Sequence, residues 1–143
     1  MGEIMKEKSV LLFAAPALAL GFAAPAFADP TPVGVWRDNE KGSVIRIYEC
    51  GGGMCATVVK PYEAGAKDIN NPNPAMRERP IAGLTIMSGA KKSGGNIWKG
   101  RLYNAEDGKS YSGSMTVVSD SELQMQGCAF SIFCQTRGFS RVK

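Results

Sequence analysis

Histidine is missing from the 143-residue chain. That absence removes every His-based catalytic triad, every His-ligated zinc or haem site and the commonest general acid/base near neutral pH. Amphipathic helical periodicity over a dozen residues is also lacking, and so are long runs of one charge, since 17 Lys and Arg face 13 Asp and Glu for a net +4. Coiled-coil and extended disordered chains are excluded by the same composition. The basic residues are scattered and the aromatics are needed indoors, so nucleic acid is not an expected partner.

The hydrophobic residues that are present fall into two kinds of segment. Residues 10–27 (VLLFAAPALALGFAAPAF) carry no charge, follow Lys6 and Lys8, and lead into Ala26-Phe27-Ala28. Charged, then apolar, then small-x-small is the order of a secretory signal, and Pro16, Gly21 and Pro25 argue against a membrane span. The expectation is residues 1–28 as signal peptide, cleavage after Ala28, and residues 29–143 as one exported domain, periplasmic or secreted. Glu3 offsets a lysine, so Met5 competes with Met1 as the start. No cysteine lies near the cleavage point, which gives no sign of a lipid anchor.

All four cysteines, Cys50, Cys55, Cys128 and Cys134, follow that point. An even number in an exported small domain points to two disulfides. Of three connectivities, the local pairs Cys50 with Cys55 and Cys128 with Cys134 are favoured, because each pair flanks a hairpin turn. A four-cysteine zinc site is disfavoured by the longer spacing and the oxidising compartment.

The rest of the chain alternates with period two. Tyr111, Met115 and Val117 alternate with Ser112, Ser114 and Thr116, and Leu123 and Met125 with Gln124 and Gln126. Such strands have one wet face and must close or stack. About eight strands are expected, at 33–37, 43–49, 54–60, 84–88, 96–103, 109–119, 122–127 and 132–142. Short hairpins without crossover helices favour an up-and-down antiparallel barrel, with a β-sandwich as the rival. One stretch interrupts the pattern. Residues 61–83 form a long, polar, proline-rich loop in which Asn73 can cap a short helical turn opening at Pro74 and running to about Glu78.

Gly34-Val35-Trp36 opens the first strand and Arg141 lies near the end of the last, which resembles lipocalin-like barrels, where a Gly-x-Trp closes the barrel base under a C-terminal Arg; the alternative is a Trp that fills any β core. The string Asp68-x-x-Asn71-Pro72-x-Pro74-x-x-Arg77-x-Arg79-Pro80-x-x-Gly83 is more distinctive. With Gly34-x-Trp36, the Cys50 to Cys55 turn, the hairpin from Tyr103 to Tyr111 and the Gly127-Cys128 stretch, it resembles the bacterial domain-of-unknown-function family 2147. The resemblance implies an all-β, lipocalin-like barrel of about eight antiparallel strands and a periplasmic address, and brings no reaction with it. The chain departs from the family at Ala105, where Pro is usual, and at Phe139, where Trp is common.

Function is read from side chains of two kinds. Trp98, Leu102, Tyr111, Met115 and Met125 are candidates to line an apolar cavity, or equally to fill a closed core. Arg77 and Arg79, with Asp68 and Asn71, form either a structural clasp holding the loop across a barrel mouth or a recognition site for the acidic head of a ligand. The expected role is binding of a small amphipathic, lipid-like molecule, without cofactor or metal. The alternatives are a protein-interaction module with a filled barrel and, further off, a hydrolase using Asp68 with Glu63 or Glu78. Glu106-Asp107-Gly108 is a hairpin turn with Gly108 at positive φ rather than a calcium loop.

Overall fold

A computed structural model describes residues 14–23 and 30–143. The two candidate starts, Met1 and Met5, and the cleavage point after Ala28 lie outside the described residues. Residues 14–23 enter no strand or helix, and Leu18, Leu20 and Phe22 are exposed there.

Eight strands follow in chain order: β1 Gly34–Asp38, β2 Val44–Cys50, β3 Gly53–Lys60, β4 Thr85–Lys92, β5 Ile97–Asn104, β6 Lys109–Ser119, β7 Glu122–Ala129 and β8 Phe133–Arg141. Each pairs antiparallel with its neighbours, and β8 returns to β1 through Trp36 opposite Arg141, so the sheet closes with no free edge. The fold is therefore the all-β barrel expected from the alternation, and the sandwich is set aside.

One face of every strand supplies the core. Trp36, Ile45, Ile47, Ala56, Met87, Ala90, Met115, Val117 and Leu123 are all buried in a single cluster. Ile45 also faces the cavity at the opposite end, while most of the others lie toward the end where β1 begins and β8 ends. One register shift and one close approach keep this end tight. The fourth strand runs on to Lys92 rather than stopping at Ser88, because Gly89, at φ 64, forms a bulge instead of a turn. The bulge turns Ala90 inward, where Gly100 leaves it room: a Cβ on Gly100 would lie 3.1 Å from the Ala90 Cα.

Gly34 shows why the Gly-x-Trp motif needs its glycine. Its φ is +149, and a Cβ there would collide with the Arg141 guanidinium and the Lys143 carbonyl oxygen. The space it leaves lets the Arg141 guanidinium sit 4.2 Å from the centre of the Trp36 ring. Arg141 also donates to the Val33 and Thr31 carbonyls at 2.8 and 2.9 Å, and Trp36 donates its indole N–H to the Pro32 carbonyl at 2.8 Å. One residue thus closes the base and ties the incoming chain across it.

Both cysteine pairs are bonded as expected, and no free cysteine remains among the described residues. They differ in kind. Cys128 and Cys134 face each other directly across β7 and β8, with Cα atoms 4.1 Å apart. Cys50 faces Gly53 and Cys55 faces Tyr48, so the Cys50–Cys55 bond runs diagonally, with Cα atoms 5.8 Å apart.

Candidate functional site

The long β3–β4 connection lies at the end of the barrel opposite Trp36, where β1, β3, β5 and β7 finish. It is folded on itself. Asp68 N–H donates to the Arg79 carbonyl and Ile81 N–H to the Ala66 carbonyl, both at 2.9 Å, around an antiparallel bridge between Lys67 and Pro80. Asn73 caps the turn at its tip by accepting from Ala75 N–H, with Pro74 in first position. That turn is a single 3-10 element, Pro74–Met76, and ends before the expected Glu78. Arg79 N–H instead closes back on the Met76 carbonyl, beginning the return limb.

Asp68 anchors the loop. Its carboxylate is fully buried and accepts from the Tyr103 hydroxyl at 2.6 Å, from Asn71 Nδ2 at 2.8 Å and from both Arg79 Nε and Nη2 at 2.8 Å. Burial pushes such a carboxyl up, but these three donors and the Arg79 charge outweigh it and hold Asp68 below its ordinary pKa. The same contact acts in reverse on Tyr103, which burial and the Asp68 carboxylate together push up to about 12. Arg77 takes a different partner, donating from Nε to the Asn71 carbonyl at 2.8 Å. Gly108, at φ +69, lets the loop seat on the β5–β6 hairpin, since any Cβ there would collide with the Asn70 carbonyl.

Beside this clasp the barrel is open. A cavity of about 520 Å³ is lined on its apolar side by Ile45, Val58, Ile86, Leu102, Met125 and Phe139, with Phe133 at its rim. Its polar groups include Asp38, Ser43, Tyr103, Asn104, Asp107, Tyr111, Gln135 and Arg137. The volume lies within the usual range of small-molecule sites, about 300 to 1,000 Å³.

The candidates divide accordingly. Leu102, Tyr111 and Met125 line the cavity. Trp98 and Met115 face one another in the packed half, where Met115 is fully buried. Asp68, Asn71, Arg77 and Arg79 lie together in the clasp, outside the cavity lining. Asp68 is sequestered, while Glu78 is an exposed partner of Lys67 at 2.8 Å, so the two carboxyls do not meet at a cleft.

The guanidinium that does border the cavity is Arg137, which is not among the residues expected from the sequence. It donates to buried Asp38 at 3.2 Å and to Glu106 at 3.3 Å, and Glu106 is also engaged by Lys41. Asp38 in turn accepts from Glu40 and Lys41 N–H, fixing the β1–β2 turn. Burial works against the Arg137 charge, but the Asp38 hydrogen bond and the two carboxylates outweigh it and raise its pKa. For Glu106 the Lys41 hydrogen bond dominates and lowers the pKa. Alternation could have found Arg137: it lies two residues before Phe139 and opposite Met125, hence on the inner face.

Among the described residues no group of three or more His, Cys, Asp or Glu could hold a metal ion, and no helix is long and apolar enough to cross a membrane. Glu106, Asp107 and Gly108 form a turn in which Asp107 accepts from Lys109 N–H at 2.9 Å.

A closed eight-stranded barrel, packed at one end and hollow at the other, is the lipocalin type, a class suited to small ligands. Residues 34–141 match the family described as "Uncharacterized protein conserved in bacteria (DUF2147)", and the chain belongs to it. In structure the chain is similar to a protein of Helicobacter pylori described as "Protein HP1028 from the human pathogen Helicobacter pylori belongs to the lipocalin family". The identity is 25% and the TM-score 0.72, over 80% of this chain and 84% of that one. None of the curated proteins compared is similar in sequence.

Proposed function

We propose that this protein is an exported binding protein, working in the periplasm or outside the cell, that carries one small, largely apolar molecule in the hollow end of its barrel. The observation that supports this reading is the cavity of about 520 Å³ left above an otherwise filled core. A barrel used only as an interaction scaffold gains nothing from that void, whose lining forgoes dispersion contacts that packing would supply.

The lining describes the ligand. Leu102, Met125, Phe139, Ile45 and Val58 accept an apolar body, and the Tyr111 hydroxyl, Asn104 and Gln135 offer hydrogen bonds at the mouth. Arg137 is already neutralised by Asp38 and Glu106, and Asp107 adds a further carboxylate, so the mouth does not select an acidic head. The ligand is accordingly amphipathic through a neutral hydrogen-bonding end rather than a carboxylate. Native mass spectrometry of the protein purified from its own host tests this. A retained small molecule in one-to-one ratio, released by unfolding, is the expected result. Protein recovered only as the bare chain, and binding no apolar probe afterwards, would contradict it.

A further inference from the structure

The β7–β8 hairpin ends in a tip of unusual character. Between Ala129 and Phe133, which pair, the chain turns through Phe130, Ser131 and Ile132. Phe130 is 89% exposed, Ile132 75% and Phe133 69%, with no charged residue from Cys128 to Cys134. Phe130 (φ 54) and Ser131 (φ 61) occupy the left-handed region without being glycine, and among the described residues they are the non-glycine residues with positive φ. Glycine would relieve that strain. The Cys128–Cys134 bond lies directly below and locks the tip, while Phe133 also lines the rim of the cavity.

We propose that this tip docks the protein on a phospholipid membrane, with Phe130, Ile132 and Phe133 entering the boundary between headgroups and acyl chains beside the cavity mouth. A protein partner is the poorer fit. Three side chains offer far less than the roughly 800 Å² per partner that a specific complex buries. A bilayer needs no matching shape, only apolar side chains on a polar body. The turn's peptide groups keep the insertion shallow, because deeper they would lose their water. The bilayer is also where amphipathic molecules accumulate, and Phe133 belongs to both the tip and the cavity wall. Docking itself requires no ligand and stands apart from the binding function proposed above.

The test is flotation of residues 29–143 with phosphatidylcholine vesicles at about 0.1 M and about 1 M salt, the second shrinking the Debye length to roughly 3 Å. This chain retains every strand of the closed barrel and omits the apolar segment 10–27, which would itself partition into lipid. The parent should float at both salts, because the attraction is apolar. Phe130→Ser with Phe133→Ser should reduce partitioning by about tenfold or more. Val118→Ser, on an exposed β6 residue, should float like the parent. Melting curves establish that each variant is folded. As an independent readout, Ile132→Trp should gain emission that is quenched by brominated lipid. A parent that stays with the unbound protein, a double variant that floats like the parent, or flotation lost at about 1 M salt would overturn the proposal. So would tip-dependent dimers without flotation, which would assign the tip to a protein contact.

Discussion

Tyr103 borders the cavity and donates its hydroxyl to the buried carboxylate of Asp68 at 2.6 Å. This bond joins the barrel wall to the long loop and makes the clasp part of the mouth's architecture. A hydrogen bond to a charged group contributes about 1.5 to 3 kcal/mol, so Tyr103→Phe should lower stability by that amount in urea unfolding. Asp68→Ala removes the shared acceptor of three side chains, including a guanidinium, and should cost about 3 to 5 kcal/mol. The double variant should cost little more than Asp68→Ala alone, since Tyr103 then has no carboxylate left to lose.

The same bond sets both ends of the pH profile. In the folded state Asp68 titrates below its unfolded value, near 3.9. Its contribution is therefore complete above that value and is lost as pH falls through the lower folded pKa, where the unfolded chain binds the proton more readily. Tyr103 is raised to about 12 against about 10 when unfolded, so its contribution is complete below about pH 10 and is lost as pH rises toward 12. The stability gap between parent and Tyr103→Phe should be constant near neutrality and narrow between pH 10 and 12. Tyr111 is also raised, through Asp107, but it is present in both proteins and cancels from that gap.

Arg77 and Arg79 should part company on mutation. Arg79→Ala strips a charge partner from buried Asp68 and should lower the melting temperature clearly, whereas Arg77 is exposed and its loss breaks a single bond to the Asn71 carbonyl, which should cost less. Neither change should alter the preference between a fluorescent fatty acid and its methyl ester. Selective loss of acid binding in either variant would instead assign the pair to ligand recognition.

At the closed end, Trp36→Ala should cost about 3 to 5 kcal/mol, as expected for a core tryptophan. Arg141→Ala should cost less but measurably, through the ring contact and the released Val33 and Thr31 carbonyls. Gly34→Ala should also destabilise, because its Cβ displaces the Arg141 guanidinium. Thermal melts of the three variants decide this.

The strands were legible because alternation is a local property: Met115, Val117, Leu123 and Met125 declared their face without help from the rest of the fold. The contact of Arg141 with Trp36 beside Gly34 was legible only through the resemblance to lipocalin-like barrels, since a Trp in a β core needs no such partner. The Asp68 network was legible in its composition but not in its partners. Tyr103, which contributes the shortest of its bonds, comes from a strand 35 residues away. The end of β4 was not legible, because a glycine such as Gly89 can end a strand or bulge it. The cavity was illegible for a similar reason. Leu102 and Met115 belong to neighbouring strands and carry the same inward pattern, yet one lines a void and the other a packed core. That difference depends on their height along the barrel and on the lengths of all eight strands.

Titration of an uncharged fluorescent apolar probe into the parent and into Gly127→Leu distinguishes a hollow, ligand-binding barrel from a filled one. Gly127 lines the cavity, and a Cβ placed there meets Leu102 and Tyr111 at an ordinary 3.5 Å, so the longer side chain fills the space where the ligand is proposed to lie. Saturable one-to-one binding by the parent is the expected result, weakened by about tenfold or more in Gly127→Leu, with the melting temperature held or raised. Equal binding by the two proteins, or no saturable binding by the parent, would contradict ligand carriage in the hollow end of the barrel.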